Sequence, residues 1–194
     1  MGWFFTADEH YFHKNIILPT YSNRPFSDVI SMNEGIIGRH NEIVSSNDVT
    51  VHAGDICFGA PKRLLEILRQ LNGKHILLMG SHDRALKQIV KKENYAEREY
   101  EDLFTYSGRR LEIGIRNKFL VIDHYCLRTW ARSHYNSWHL YGHSHGRLEP
   151  IGKSWDIGVD NNNYYPVSFD LICEIMSERP DNPNLRPEKL RRRH

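Results

Sequence analysis

Short apolar runs that stop abruptly in glycine or polar residues set the rhythm of the chain. Trp3 to Ala7, Val49 to Gly54 and His75 to Met79 are too short for helices and predict buried strands. Between the last two, Pro61 opens a helix with Leu64, Leu65, Leu68 and Leu71 on one face, and Gly73 is its expected stop. That β-α-β order predicts a parallel strand pair. Upstream, Ser31-Met32-Asn33-Glu34 matches a capping box, followed by Met32, Ile36, Ile37, His40, Ile43 and Val44 at helical spacing. Gly35 and Gly38 weaken that helix by roughly 1 kcal/mol each, so packing must hold it.

Arg84 to Lys92 predicts a basic helix. From Tyr100 to Asp123 short alternating stretches, such as Arg110 to Ile113 before Gly114, predict antiparallel hairpins. Phe119 to Asp123, Trp138 to Gly142 and Ser154 to Val159 read as further strands, and Ser168 caps a last helix, Phe169 to Ser177. The chain therefore reads as α/β (α+β), a parallel half followed by an antiparallel half. Residues 1–179 form the expected single domain. Residues 180–194, with three prolines and no apolar period, form an expected frayed, charged tail.

Composition narrows this picture. At 194 residues there is room for one domain with a full core. A formal charge of +2 supplies no bulk field to recruit nucleic acid or membrane. No apolar run approaches the roughly 20 residues that span a bilayer. Met1-Gly2-Trp3 lacks a basic leader, and the cysteines, Cys57, Cys126 and Cys173, are odd in number and share no C-x-x-C spacing. A cytoplasmic protein with reduced thiols is the expectation.

Five of the strand-like segments deliver the same kind of chemistry at their ends. Asp8 and His10 follow the first and Asp55 the second; Ser81, His82 and Asp83 follow the third. His124 follows Asp123, and His143 and His145 follow Gly142. Open α/β sheets hold ligands at the carboxyl ends of their strands. Carboxylates and imidazoles without thiolates suit Mn, Fe(II), Zn or Ni. Six such ligands exceed what one tetrahedral ion uses, which points to two metals. Asp55 behind a buried strand has little structural reason to carry a charge, and His143 and His145 project to one side of an extended segment, as a chelate requires.

In order, Asp8-x-His10, Gly54-Asp55, Gly80-Ser81-His82-Asp83, His124 and Gly142-His143-Ser144-His145 resemble the signature of the calcineurin-like metallophosphoesterases. The likeness spans roughly residues 2 to 170 and is closest to small single-domain bacterial and phage members. Ser81 stands where that family has asparagine. The resemblance implies two mixed β-sheets packed face to face with helices outside, and two divalent ions, manganese first, with Fe, Zn, Ni or Co as alternatives. It implies Asp55 as the bridge, with Asp8, His10 and His145 completing one ion and Ser81, His124 and His143 the other. It further implies hydrolysis of a phosphomonoester or phosphodiester, a nucleotide among the candidates, by in-line attack of a hydroxide held between the ions. His82 would serve the leaving oxygen, oriented by Asp83.

His13, Arg24, Arg84 and Arg128 are candidate phosphate contacts, each about as well explained as an ordinary surface or hydrogen-bonded residue. His52, His75 and His139 lie inside strands and are assigned to structure. Serine is a poorer neutral ligand than asparagine. A weakened relative that keeps the fold and partial metal binding, as a binding module, is therefore the alternative reading. A nucleic-acid-binding role has only the Leu190-Arg191-Arg192-Arg193 cluster behind it, and a solvated chain end explains that as well. The sequence specifies no oligomeric state.

Overall fold

The computed structural model describes residues 1–91 and 102–187. The expected helix end at Lys92, the start of the hairpin region at Tyr100 and the Leu190 to Arg193 cluster lie outside the described residues. In chain order the elements are β1 (Trp3–Thr6), α1 (Val29–Ile43), β2 (Val49–His52), α2 (Pro61–Leu68), β3 (Lys74–Leu77), α3 (Arg84–Lys91), β4 (Phe104–Tyr106), β5 (Arg110–Ile115), β6 (Lys118–Asp123), β7 (Trp138–Tyr141), β8 (Ser154–Asp156), β9 (Val167–Ser168) and α4 (Phe169–Glu178).

They build two mixed sheets, β4-β3-β2-β1-β9 and β5-β6-β7-β8. In the first sheet β1 to β4 are parallel and β9 runs against β1. The strands alternate faces, as a period of two requires. Val51, Ile76 and Leu78 point to the inter-sheet core with Leu120, Ile122, Trp138 and Leu140 of the second sheet. Leu77, Met79 and Phe104 point the other way, against Met32 and Ile36 of α1, Leu64 and Leu68 of α2 and Leu86 of α3. Both faces of β2 are buried, so its sequence reads as a continuous run rather than an alternation. Among the described residues, no helix is long and apolar enough to cross a membrane.

The structure corrects four local readings. The cap of helix α1 is Asp28, three residues before the proposed Ser31: Asp28 accepts from the backbone N–H of Ile30 and Ser31, and Ser31 answers as the third residue of the helix. Helix α2 ends at Leu68, and Gly73 (φ +99°) instead makes the turn into β3. The second half is not antiparallel throughout. Only β5 and β6 form a hairpin, while β6, β7 and β8 are parallel, because chain segments too long for hairpins join them. The tail is docked where it begins. Asn182 is 3% exposed, accepts from the backbone N–H of Lys153 and donates to the carbonyls of Ser133 and Ser137.

Candidate metal centre

The carboxyl ends of β1, β2, β3, β6 and β7 meet at one edge where the two sheets face each other. Backbone bonds lace the loops that leave them: Asp8 N–H donates to Gly54 (3.0 Å), His10 N–H to Asp55 (3.0 Å) and Gly142 N–H to His124 (3.1 Å). Two glycines make the crossing possible. A Cβ at Gly80 would lie 2.3 Å from Asp55 Oδ1, and one at Gly142 would lie 2.5 Å from Ala7 Cβ.

Six of the residues named from the sequence fall into two groups. Asp8, His10 and His145 form one; Asp55, His124 and His143 form the other. Within each group the ligand atoms lie within 4.8 Å of one another. Asp55 stands between them, its Oδ2 3.3 Å from His124 Nε2 and 3.9 Å from His10 Nε2. Ser81 Oγ donates to the same oxygen at 2.9 Å, and the backbone N–H of His82 donates to Oδ1 at 2.7 Å.

Two features fit a ligand site better than an ordinary polar core. Asp8 Oδ1, both ring nitrogens of His10 and Nε2 of His124 are buried without a hydrogen-bond partner. A buried polar atom left unpaired costs about 1–3 kcal/mol, so four together call for an absent partner, and a cation fits donors of this kind. Five of the six also hold left-handed backbone: Asp8 (φ 58°), His10 (52°), Asp55 (56°), His143 (67°) and His145 (49°). Non-glycine residues there cost about 1–3 kcal/mol each and persist where the surroundings over-determine them.

The electrostatics divide the carboxylates. Burial pushes Asp8 well above the usual range, because its neighbours do not fully compensate. Burial also pushes Asp55 upward, but the His124 ring 3.3 Å away, the His82 N–H and His10 reverse that and leave it depressed. Burial holds His10 and His143 below the usual imidazole range. It opposes protonation of His124 and His145 as well, yet Asp55 and Asp160 respectively outweigh it. Neutral imidazoles beside ionised carboxylates are the forms that bind cations.

The ligand rings are held from behind. His124 Nδ1 lies 3.0 Å from the Ala53 carbonyl, which fixes the proton there and leaves Nε2 facing Asp55. His145 Nδ1 lies 2.6 Å from Asp160 Oδ2. Asp160 and Asp156 escaped the reading of the sequence. Asp156 ends β8 and Asp160 follows it, much as the candidate ligands follow the other strands, so one more repeat of the same pattern would have found them. Asp156 accepts from Ser144 Oγ and from the N–H groups of Gly146 (3.0 Å) and Gly158 (2.8 Å), bracing the loop of His143 and His145.

Two expected roles change. Asp83 does not orient His82: its carboxylate is buried and accepts from the backbone N–H groups of Asp55 (2.7 Å), Ile56 (2.8 Å) and Gly80 (2.8 Å). Arg24 is not a phosphate contact. It is 2% exposed, donates to the carbonyls of Asp8 and Glu9, and forms a two-point ion pair with Asp160. Arg84 and Arg128 are exposed, at the start of α3 and in the loop after β6. At the mouth, exposed His82 lies 6.1 Å from His10 ring to ring, and His13 lies 5.3 Å from His10, stacked on Phe58 at 3.9 Å. His139 is structural, bonded to the Val121 carbonyl and the Leu127 N–H. His52 and His75 bond each other behind the sheet, with Glu9 on the far nitrogen of His52.

No family model matches the chain. An uncharacterised protein of Methanocaldococcus jannaschii, MJ1445, is 29% identical over 185 residues, covering 89% of each chain. The crystal structure of AQ665, a protein of unknown function from Aquifex aeolicus, superposes with a TM-score of 0.64. It is 20% identical, and the match covers 90% of this chain and 98% of that one. This second likeness is one of fold.

Proposed function

We propose that the chain is a phosphohydrolase that uses two divalent metal ions to cleave phosphomonoesters or phosphodiesters, as its resemblance to the calcineurin-like metallophosphoesterases implies. The observation that supports it most is the pair of adjacent candidate ligand groups, with Asp55 of one 3.9 Å from His10 of the other and buried polar atoms in both left unpaired. Asp8, His10 and His145 would hold one ion and His124 and His143 the other, with Asp55 common to both. Such ions lower the pKa of water from 15.7 towards roughly 7 and neutralise phosphoryl oxygens.

The remaining work falls to the protein. Ser81 Oγ and the His82 N–H pin the two oxygens of Asp55, so that the shared carboxylate keeps one orientation. Water attacks phosphorus as the opposite P–O bond breaks, and the departing oxygen needs a proton. The His82 imidazole, exposed at the mouth and outside both candidate ligand groups, would give it.

The test is metal content by elemental analysis, then turnover of p-nitrophenyl phosphate and its diester with added manganese. Two ions per chain and metal-dependent hydrolysis are expected, and Asp55→Asn should abolish nearly all of it while the fold survives. Parent-rate hydrolysis by that variant would overturn the shared-ligand mechanism, and absence of metal binding would overturn the function.

A further inference from the structure

At the opposite end of the second sheet, about 20 Å of strand away from His124, a groove of about 1040 Å³ opens at the amino ends of β6 and β7. Its chemistry is one-sided. Lys118, Arg132 and Lys153 line it with Phe119, Tyr135 and Trp138, and no carboxylate is among its described lining residues. Lys153 is committed, donating to the carbonyls of Met176 (2.7 Å) and Arg179 (2.5 Å) at the end of α4. The other two cations are not. The Arg132 guanidinium lies 4.2 Å from the centre of the Phe119 ring and the Lys118 ammonium 5.2 Å from that of Trp138, and neither has an ion pair among the described residues. Each is laid on a ring that fixes its direction while its N–H donors stay open.

The loop that carries Arg132 is built rather than loose. Arg132 (φ 57°) and Asn136 (φ 68°) both hold left-handed backbone around the short turn Ser133–Tyr135. Trp130 Nε1 donates to the Ser137 carbonyl at 3.1 Å, Ser137 Oγ to the Ala131 carbonyl at 2.6 Å, and buried Asn182 ties down the Ser133 and Ser137 carbonyls. These bonds fix the backbone from which the exposed Arg132 side chain extends.

We propose that this groove is a second binding site, separate from the metal centre, for an anion that carries a flat ring: a ligand of the nucleotide class. Exposed Arg132 and Lys118, with no ion pair among the described residues, favour a negative partner, and the exposed Tyr135 ring beside half-buried Phe119 supplies a surface on which a base can stack. The cavity lies at the upper end of the roughly 300–1,000 Å³ typical of small-molecule sites.

The probe is the β,γ-imido analogue of ATP, titrated calorimetrically into the full chain with its metals in place. Two binding events are expected. Arg132→Asn, which removes the charge but tolerates the left-handed backbone, should weaken one event at least tenfold. Lys118→Gln should weaken that same event, and Asp55→Asn should remove only the other. Tripolyphosphate, which lacks the ring, should bind the groove at least tenfold more weakly. A parent protein with one event that only Asp55→Asn removes would overturn the proposal, as would groove variants that bind like the parent. Equal binding of tripolyphosphate would overturn the ring's part in it.

Discussion

Nδ1 of His145 lies 2.6 Å from Oδ2 of Asp160, whose carboxylate is in turn gripped at both oxygens by Arg24. Because Arg24 also holds the carbonyls of Asp8 and Glu9, one buried guanidinium couples three chain segments of the centre. The Asp160 contact assigns the His145 proton to Nδ1 and points Nε2 inward. Losing such a support costs roughly 10–100-fold in metal affinity. Asp160→Asn keeps the shape but weakens the charge-assisted bond. It should raise the dissociation constant of the ion proposed at Asp8, His10 and His145, and leave the other proposed ion nearly unchanged. Metal titration followed by calorimetry checks this, and equal weakening of both ions would show that Asp160 acts on the fold at large.

Asp83 is expected to behave as a structural residue. Burial pushes its carboxyl up to about 6 even though three backbone N–H groups favour the charged form. Those groups belong to the turns that present Asp55 and Ser81. Removing a buried acceptor costs about 1–3 kcal/mol for each donor left bare. Asp83→Ala should therefore lower unfolding stability by several kcal/mol, visible as a lower urea midpoint, with activity per folded molecule falling as Asp55 loses its seat. A stable variant with an altered pH–rate profile alone would restore Asp83 to a catalytic role.

What the sequence showed and what it hid divide along physical lines. The clustering of the six residues in the two groups was legible because a charged or imidazole side chain just after a buried strand has few structural uses, and the pattern recurs five times. The parallel pairing of β2 with β3 was legible because the helix between them makes a strand-helix-strand order. Arg24 and Asp83 were misplaced because a residue type does not state its partner. Arg24 finds Asp160, 136 positions away, and Asp83 finds backbone amides that no side-chain pattern encodes. The parallel pairing of β6, β7 and β8 was hidden because strand direction depends on long connections that lack a hairpin signal.

Acid sensitivity should arise behind the first sheet. Burial pushes His40 down to about 4, and His52 and His75 down to about 3. An unfolded histidine titrates near 6.5. Between about pH 4 and 6.5 the unfolded chain thus takes up a proton at position 40 that the folded chain refuses, so stability falls as pH falls through that window. Glu9, pushed up by burial to about 7, and Asp83 act in the opposite sense over part of it, and only a difference isolates one group. His40→Gln should flatten the dependence of unfolding free energy on pH by about 1.4 kcal/mol per pH unit between roughly pH 4.5 and 6. Urea denaturation of both proteins across that range is the measurement. A constant offset between the two curves would mean His40 is protonated when folded.

Ser81 occupies the position at which the chain departs from the family it resembles, and its hydroxyl is turned onto Asp55 Oδ2 at 2.9 Å. That is the oxygen closest to His124, so Ser81 spends its one donor on the shared carboxylate. A hydroxyl on so short a stem reaches less far than an asparagine amide and offers no N–H to hold a phosphoryl oxygen. An ion proposed at His124 and His143 would have protein ligands from Asp55 and two imidazoles, with water left to complete its shell. It should be the weaker of the two, and activity should rise with added metal after the first site is full. Ser81→Asn supplies an amide oxygen there and an N–H for substrate. We expect it to tighten the second ion and raise kcat, with the first ion unaffected. Metal titration and steady-state kinetics on the two proteins, side by side, decide the matter. Unchanged affinity and rate would show that serine with its water is a full substitute, and would leave the weakened-enzyme reading without support.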